Sequence, residues 1–309
     1  MPTIQETLRA AVALLGAAHV DAPATTARLL LAKALGRSKE WLIAHSAEPL
    51  DAAIQRDFQD LLERVIAHEP LAYVLGHREF YGLDLIVDRR VLIPRPETEL
   101  LADLALHELK SEALKRETAA QFSLLDVGTG SGAIPIAVAK HAPNAKLLAT
   151  DVSADALAVA RLNAGRHGVA DRIAFVQADL LDGIATLPPV ITANLPYVTR
   201  AEIEGLPPEI QAHEPRVALD GGGDGLALVR RLLQQIADRL KTYQGISLRA
   251  AYLEIGAAQG AAALTDARRI LPNAHSEIKR DLAGLDRVLA IHFSRTVNDG
   301  NCLPYRSIA

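Results

Sequence analysis

The sequence predicts an α/β fold: a doubly wound, mostly parallel seven-stranded sheet, preceded by a small helical domain and a β-hairpin linker. Three observations predict it. From Phe122 onward, short apolar runs alternate with helical patterns, which is the signature of parallel strands with crossover helices. The first of these runs opens onto a glycine-rich loop, "DVGTGSG", that leads into a helix. The segment 1–76 carries a helical period throughout and no strand pattern.

Taken in order, "IQETLRAAVALLGAA" places Ile4, Leu8, Val12 and Leu15 at helical spacing. "TTARLLLAKALG" repeats the pattern and stops at Gly36, a C-cap residue. In "DAAIQRDFQDLLERVIAHEP", Ile54, Phe58, Leu61, Leu62 and Val65 form one apolar stripe, and Pro70 marks its end. The period then changes. "REFYGLDLIVDRRVLIP" has aromatic and β-branched residues around turn signals at Gly82 and Asp88–Arg90, which reads as a β-hairpin. Pro96 with Glu97 and Glu99 reads as the first turn of a helix, with acids near its positive end.

A polar connection follows, and then the strands "SLLDVG", "AKLLATD", "RIAFVQAD", "VITAN", "RAAYLEIG", "AHSEIKRD" and "DRVLAIHF". The last two are joined by "LAGL", a turn short enough only for an antiparallel pair at the sheet edge. The expected domains are residues 1–76, a hairpin linker 77–95, a sheet domain 96–293 and a disordered tail 294–309.

Composition narrows the function. The chain has 309 residues, half of them hydrophobic, with a net charge of −4 that weighs against nucleic acid as a direct partner. One cysteine, Cys302, excludes an internal disulfide and a cysteine zinc cluster, and no H-E-x-x-H motif occurs, so no metal is expected. The N-terminus lacks the apolar block of a signal peptide, and no apolar run spans a bilayer. The expectation is a soluble, cytoplasmic protein with no membrane partner.

The loop at 128–132 is the strongest local signal. Its glycines allow positive φ and close backbone approach to a ligand, and the following helix offers unpaired N–H groups. Gly128, Gly130 and Ala133, with Asp151 about 20 residues on, satisfy the dinucleotide pattern, so NAD remains open on that pattern alone. Two features favour S-adenosylmethionine. Asp126 precedes the glycines, where a carboxylate engages an ammonium group but repels a pyrophosphate. Gly132 extends the motif to D-x-G-x-G-x-G. Asp151 would accept from the ribose hydroxyls, and Asp179 would reach the adenine amino group. The expected cofactor-binding set is Asp126, Gly128, Thr129, Gly130, Gly132, Asp151, Val152, Asp179, Leu180 and Asn194.

"VITAN" should lie beside "SLLDVG", so Asn194 should emerge next to the cofactor. "NLPY" suits a planar NH₂ acceptor, whose nitrogen is a poor nucleophile. The Asn194 side-chain oxygen and the Leu195 carbonyl can accept its two N–H groups. Pro196 holds Leu195 extended, and Tyr197 offers a stacking face.

At this point the chain resembles the release-factor glutamine methyltransferases, the PrmC/HemK family. The resemblance rests on "EPLAYVLGHREFYGLDLIVDRRVLIPRPETELLAD", "LLDVGTGSGAIPIAVA", "ATDVSADALAVARLNA", "NLPYV" and "HEPRVALDGGGDGLALVRRLL", and covers 1–293. It implies a class I S-adenosylmethionine-dependent, Rossmann-like fold with S-adenosylhomocysteine as product. It implies N5-methylation of the glutamine in the Gly-Gly-Gln loop of peptide-chain release factors, with the helical domain gripping that substrate. Asn194 and Tyr197 match the catalytic positions, and Arg95, Pro96 and Glu97 match a linker motif bordering the active site. Leu195 stands where the family's motif has proline; "NLPY" also resembles a motif of rRNA adenine dimethyltransferases, against which the linker motif, the helical domain and the net charge argue.

Overall fold

In a computed structural model of the chain, residues 1–110, 122–242 and 248–293 are described. The expected polar connection, the expected disordered tail and Cys302 lie outside the described residues, the connection except for its first residue, Lys110. The chain divides into two compact units.

The first unit comprises Met1–Arg78 with Val87–Arg89 and Pro207–His213. Its helices are α1 (Ile4–Ala17), α2 (Pro23–Leu35), α3 (Lys39–Ala44), α4 (Ala52–Ile66) and α5 (Leu71–Leu75), with Pro208–His213 as a short helix from later in the chain. Local chemistry sets the boundaries. Thr3 and Glu6 form a capping box at the start of α1, Asp51 caps α4, and Gly36 ends α2 in the left-handed conformation. The expected stripe on α4 is buried at Phe58, Leu62 and Val65, with Ile54 and Leu61 packed at its margin. Pro70 ends no helical region; it caps α5 instead.

The second unit comprises Glu79–Ile86, Arg90–Leu206 and Glu214–Ala309. The hairpin pairs β1 (His77–Phe80) with β2 (Leu83–Ile86) around Gly82, as its turn signal predicts. The large sheet contains β3 (Leu124–Val127), β4 (Leu147–Asp151), β5 (Ile173–Gln177), β6 (Val190–Ala193), β7 (Ala250–Glu254), β8 (Ala274–Arg280) and β9 (Asp286–Phe293). Their order is β5-β4-β3-β6-β7-β9-β8. The first five are parallel; β9 runs antiparallel to both neighbours, leaving β8 at the edge. The seven-stranded, mostly parallel sheet is therefore the one expected from the alternating pattern.

Both faces of the sheet are covered. Leu125 and Val127 pack on one side with Val229, Leu233 and Ile236 of the helix Ala227–Thr242. Leu124 and Leu147 pack on the other with Leu101 of the helix Glu99–Leu109 and Ile136 of the helix Ala133–His141. Such two-sided burial explains why these strands read as continuous apolar runs rather than alternating ones. After β5 the chain crosses to the opposite side of β3. That makes the gap between β3 and β6 the topological switch point, where open α/β sheets bind ligands.

Candidate active site

The register at the switch point pairs Val127 with Ala193, so Gly128 and Asn194 leave the sheet abreast. The glycine loop is tied down by backbone: the N–H groups of Gly128 and Thr129 both donate to the Thr150 carbonyl, at 2.8 and 2.9 Å. The N–H of Gly130 donates to Asp151 Oδ2 at 2.8 Å, and that of Ser153 to Oδ1 at 2.9 Å. Gly132 has φ +81, and a Cβ there would come within 2.9 Å of Ile136 Cδ1 and 3.2 Å of Ala160 Cβ. Its smallness thus serves helix–helix packing behind the loop. Buried Asn163 donates to the Ser131 and Ile86 carbonyls and accepts from the Ile86 N–H, so one side chain fixes the loop to β2.

A cleft of about 330 Å³ opens at this rim. Of the expected cofactor residues, Gly128, Thr129, Gly130, Asp151, Val152, Asp179, Leu180 and Asn194 line it. Of the expected substrate residues, Arg95, Leu195 and Pro196 join them. Asp126, Gly132, Pro96, Glu97 and Tyr197 do not line it. Asp126 does not end β3 but lies one residue inside it, fully buried, with Oδ1 accepting from the Thr192 hydroxyl at 2.7 Å. Burial pushes its pKa up to about 6, against the hydrogen bond from Thr192. Asp151 is also shifted upward by desolvation, against its backbone N–H partners. Asp179 pairs with Arg231 at 2.9 Å, a partner the sequence did not single out.

Pro96 and Glu97 are exposed on the 3₁₀ turn Pro96–Thr98. The residue of that turn that reaches inward is buried Thr98, whose hydroxyl accepts from Asn194 Nδ2 at 3.0 Å. Arg95 instead donates to Glu214 Oε1 at 2.6 Å. Tyr197 donates its hydroxyl to Glu254 Oε1 at 3.1 Å. Burial first, then the negative charge of Glu254, raises the Tyr197 pKa, so the phenol stays protonated. Glu254, the last residue of β7, is 1% exposed, and burial raises its pKa. Leu195, in place of the motif proline, is buried and seated on the glycine loop: a Cβ on Gly128 would be 3.1 Å from its Cδ2. Packing, rather than a second ring, restrains this position.

The "GGGDG" stretch reads from sequence as a flexible turn, but it forms part of the clamp on the 194–197 loop. A Cβ on Gly221 would lie 2.7 Å from both the Pro196 carbonyl oxygen and Tyr197 Cα. Gln259 donates to the Tyr197 carbonyl at 2.8 Å and accepts from the Gly256 N–H. The only sequence signal for this packing is the density of glycines.

The donor set fits S-adenosylmethionine. The buried Asp126 Oδ2 and Thr129 Oγ1 have no protein partner and sit behind and beside the glycine loop, where they suit a cationic amino-acid moiety. The Asp151 carboxylate retains lone pairs for hydroxyl donors, and Val152 and Leu180 supply apolar cover for a planar ring. Nothing in this set resembles a metal site, and no metal-binding cluster occurs among the described residues. No helix among them is long and apolar enough to cross a membrane.

Comparison with known proteins agrees with this architecture. Residues 6–76 match the PrmC N-terminal domain, and residues 105–242 match the methyltransferase small domain. A release factor glutamine methyltransferase of Moorella thermoacetica is 37% identical over 286 residues, covering 92% of this chain and 96% of that protein. One of Bordetella pertussis is 39% identical over 269 residues, covering 86% and 93%. Among solved structures, the hMettl16 catalytic domain in complex with a MAT2A 3′UTR hairpin superposes with a TM-score of 0.54 at 21% identity, covering 75% of this chain and 83% of that one. That likeness concerns the fold alone. With sequence relationships running nearly end to end and a glycine loop and Asn194 meeting at the switch point, the chain belongs to the release factor glutamine methyltransferase family and is an S-adenosylmethionine-dependent methyltransferase.

Proposed function

We propose that the chain methylates N5 of the glutamine in the Gly-Gly-Gln loop of peptide-chain release factors. The observation that carries this reading is the placement of Asn194: abreast of Gly128, lining the cleft, with its NH₂ turned to Thr98. The side-chain oxygen is then available to accept from a substrate N–H. Relatives named release factor glutamine methyltransferase supply the substrate class.

A primary amide nitrogen is a poor nucleophile because its lone pair is delocalised into the carbonyl. Asn194 Oδ1 accepts one amide N–H, and the Leu195 carbonyl accepts the other. Held in this way, the nitrogen is drawn toward tetrahedral geometry with its lone pair localised. Bound S-adenosylmethionine supplies an electrophilic methyl group. Thr129, Gly130, Asp151, Val152, Asp179 and Leu180, which line the cleft, would hold it, with buried Asp126 behind them. Tyr197 steadies the loop from outside the cleft lining through its hydroxyl on Glu254, and Arg95, fixed by Glu214, shapes the entrance. Rate comes from positioning and from hydrogen bonds that strengthen as the nitrogen pyramidalises; as the N–CH₃ bond forms the sulfonium S–CH₃ bond would break, and the cationic, strongly acidic methylated amide would release its extra proton to solvent, so no general base of matched pKa is needed. The helical unit serves to grip the protein substrate.

Mass spectrometry of a release-factor digest, after incubation with enzyme and S-adenosylmethionine, tests this reading. A methyl group on the loop glutamine, and none on rRNA offered in parallel, is the expected result. Transfer to adenine instead would refute it.

A further inference from the structure

We infer that Gln259 is a positioning residue for turnover: from outside the cleft it holds the far end of the Asn194–Tyr197 loop, and so sets where Asn194 and the Leu195 carbonyl meet the substrate amide. The inference rests on the functional reading above and adds a residue that the sequence did not place in the site.

Gln259 does not line the cleft. Its side chain bridges three backbone segments. Oε1 accepts from the Gly256 N–H at 2.8 Å, and Nε2 donates to the Tyr197 carbonyl at 2.8 Å and to the Asp224 carbonyl at 3.2 Å. All three partners are main-chain groups with fixed roles: an N–H only donates and a carbonyl only accepts. One orientation of the amide satisfies them. Gln259 is itself anchored, because its N–H donates to the Gly256 carbonyl and its carbonyl accepts from the Ala263 N–H, both at 2.9 Å. It thereby starts the helix Gly260–Ile270, whose Ala263 and Ala267 are buried in the core. Space for the bond to the loop is left by a glycine: a Cβ on Gly225 would fall 2.1 Å from Gln259 Nε2 and 2.2 Å from the Tyr197 carbonyl oxygen. The Tyr197 carbonyl lies two peptides beyond that of Leu195, and the intervening Pro196 has a fixed φ. A shift at one end of so short a segment is carried to the other.

Gln259→Glu makes this clamp titratable. The neutral carboxyl keeps one acceptor for Gly256 and one O–H donor for Tyr197. The ionised carboxyl has no donor and faces two carbonyl oxygens, so the loop is pushed away. The charged pairs on adjoining segments, Asp224 with Arg230, Asp286 with Arg280 and Asp281 with Arg287, are each balanced internally. Partial burial, the two carbonyls and the like charge of Glu254 then hold the introduced acid above the usual glutamate range.

The test measures kcat for methyl transfer to release factor, at saturating cofactor, by wild type, Gln259→Glu and Gln259→Met from about pH 5.5 to about pH 8. Each variant is read as its ratio to wild type at the same pH, which removes the titration of Asp126. Thermal melts and cofactor calorimetry on the same samples follow folding and binding. Gln259→Glu should lose roughly tenfold to a hundredfold in kcat at the alkaline end, as about 1 Å of misplacement commonly does, and recover most of it at the acid end. Gln259→Met keeps the bulk and makes neither bond, so its loss should be similar at every pH. Cofactor affinity should stay within about threefold in both. A Gln259→Glu ratio that does not change with pH, or wild-type kcat in Gln259→Met, would overturn the inference. So would a fall in cofactor affinity as large as the fall in kcat. A wild type that transfers to adenine and not to release factor would overturn the functional reading alone, since the same ratios are then taken on that acceptor.

Discussion

The N–H of Gly130 donates to Asp151 Oδ2 at 2.8 Å, so the acid that ends β4 also holds the glycine loop that follows β3. Its other oxygen accepts from Ser153 N–H at 2.9 Å. Asp151 therefore has a structural duty in addition to any bond with a ribose hydroxyl. Asp151→Asn keeps the shape but replaces one acceptor by a donor that faces an N–H. The expected result is a loss of about 1.5–3 kcal/mol of S-adenosylmethionine affinity, roughly tenfold to a hundredfold, measured by calorimetry. Thermal unfolding without cofactor should also fall, because the loop loses its tie. An Asn variant that binds cofactor as wild type would remove Asp151 from the site.

Asn194→Ala should separate turnover from cofactor binding. The substitution, at a partly exposed position, removes the side-chain oxygen proposed to orient the substrate nitrogen and leaves the buried Thr98 hydroxyl with one donor fewer. Turnover should fall by about 10²–10³, the usual effect of deleting one preorganised transition-state group. Cofactor affinity should stay near wild type. Single-turnover transfer assays with calorimetry on the same samples provide the check.

The parts of this site that were legible in the sequence share one property: topology alone brings them together. Strands buried on both faces must be apolar, so "SLLDVG" and "VITAN" stand out. Their neighbouring positions follow from the crossover order, which places Gly128 beside Asn194. Thr98, Glu254 and Gln259 were not legible because each depends on a rotation or a register that no short pattern encodes. In the turn Pro96–Thr98, successive side chains point in different directions, and the buried one is Thr98 rather than the motif residues Pro96 and Glu97. A glutamate at a strand end reads as solvated until β9 covers it, and Val288 of β9 lies opposite Glu254. Likewise, three consecutive glycines signal freedom in an isolated chain and close packing in a folded one.

That packing makes a prediction at Gly221. An added Cβ would sit 2.7 Å from the Pro196 carbonyl oxygen and from Tyr197 Cα, both backbone atoms that cannot rotate away. Gly221→Ala must displace the 194–197 loop or the "GGGDG" turn. Overpacking of this kind costs about 1–3 kcal/mol of stability. Because the displaced loop carries Asn194, kcat should fall by an order of magnitude or more, as roughly 1 Å of misplacement commonly does. Cofactor affinity should change much less. Alanine at Gly223, where a Cβ meets nothing within 4 Å, serves as the matched control.

The buried acid Asp126 gives a pH dependence whose sign can be worked out. Its pKa is pushed up to about 6 by burial, above the ordinary aspartate value of 3.8. In the cofactor-free protein the native state therefore holds a proton that the unfolded chain has already lost between these two values. Stability should decline as pH rises from about 4 to about 6, by up to roughly 3 kcal/mol, and Asp126→Asn should flatten that segment of the curve. Cofactor binding should respond in the opposite direction. If the carboxylate serves the cofactor's ammonium, only its ionised form contributes, and at pH 5 about a tenth of the sites are ionised. Affinity should then rise about tenfold between pH 5 and pH 7 in wild type and stay level in Asp126→Asn. Calorimetric titrations at several pH values, alongside denaturant melts of both proteins, measure the two trends independently; a pH-independent wild-type affinity would place the ammonium elsewhere.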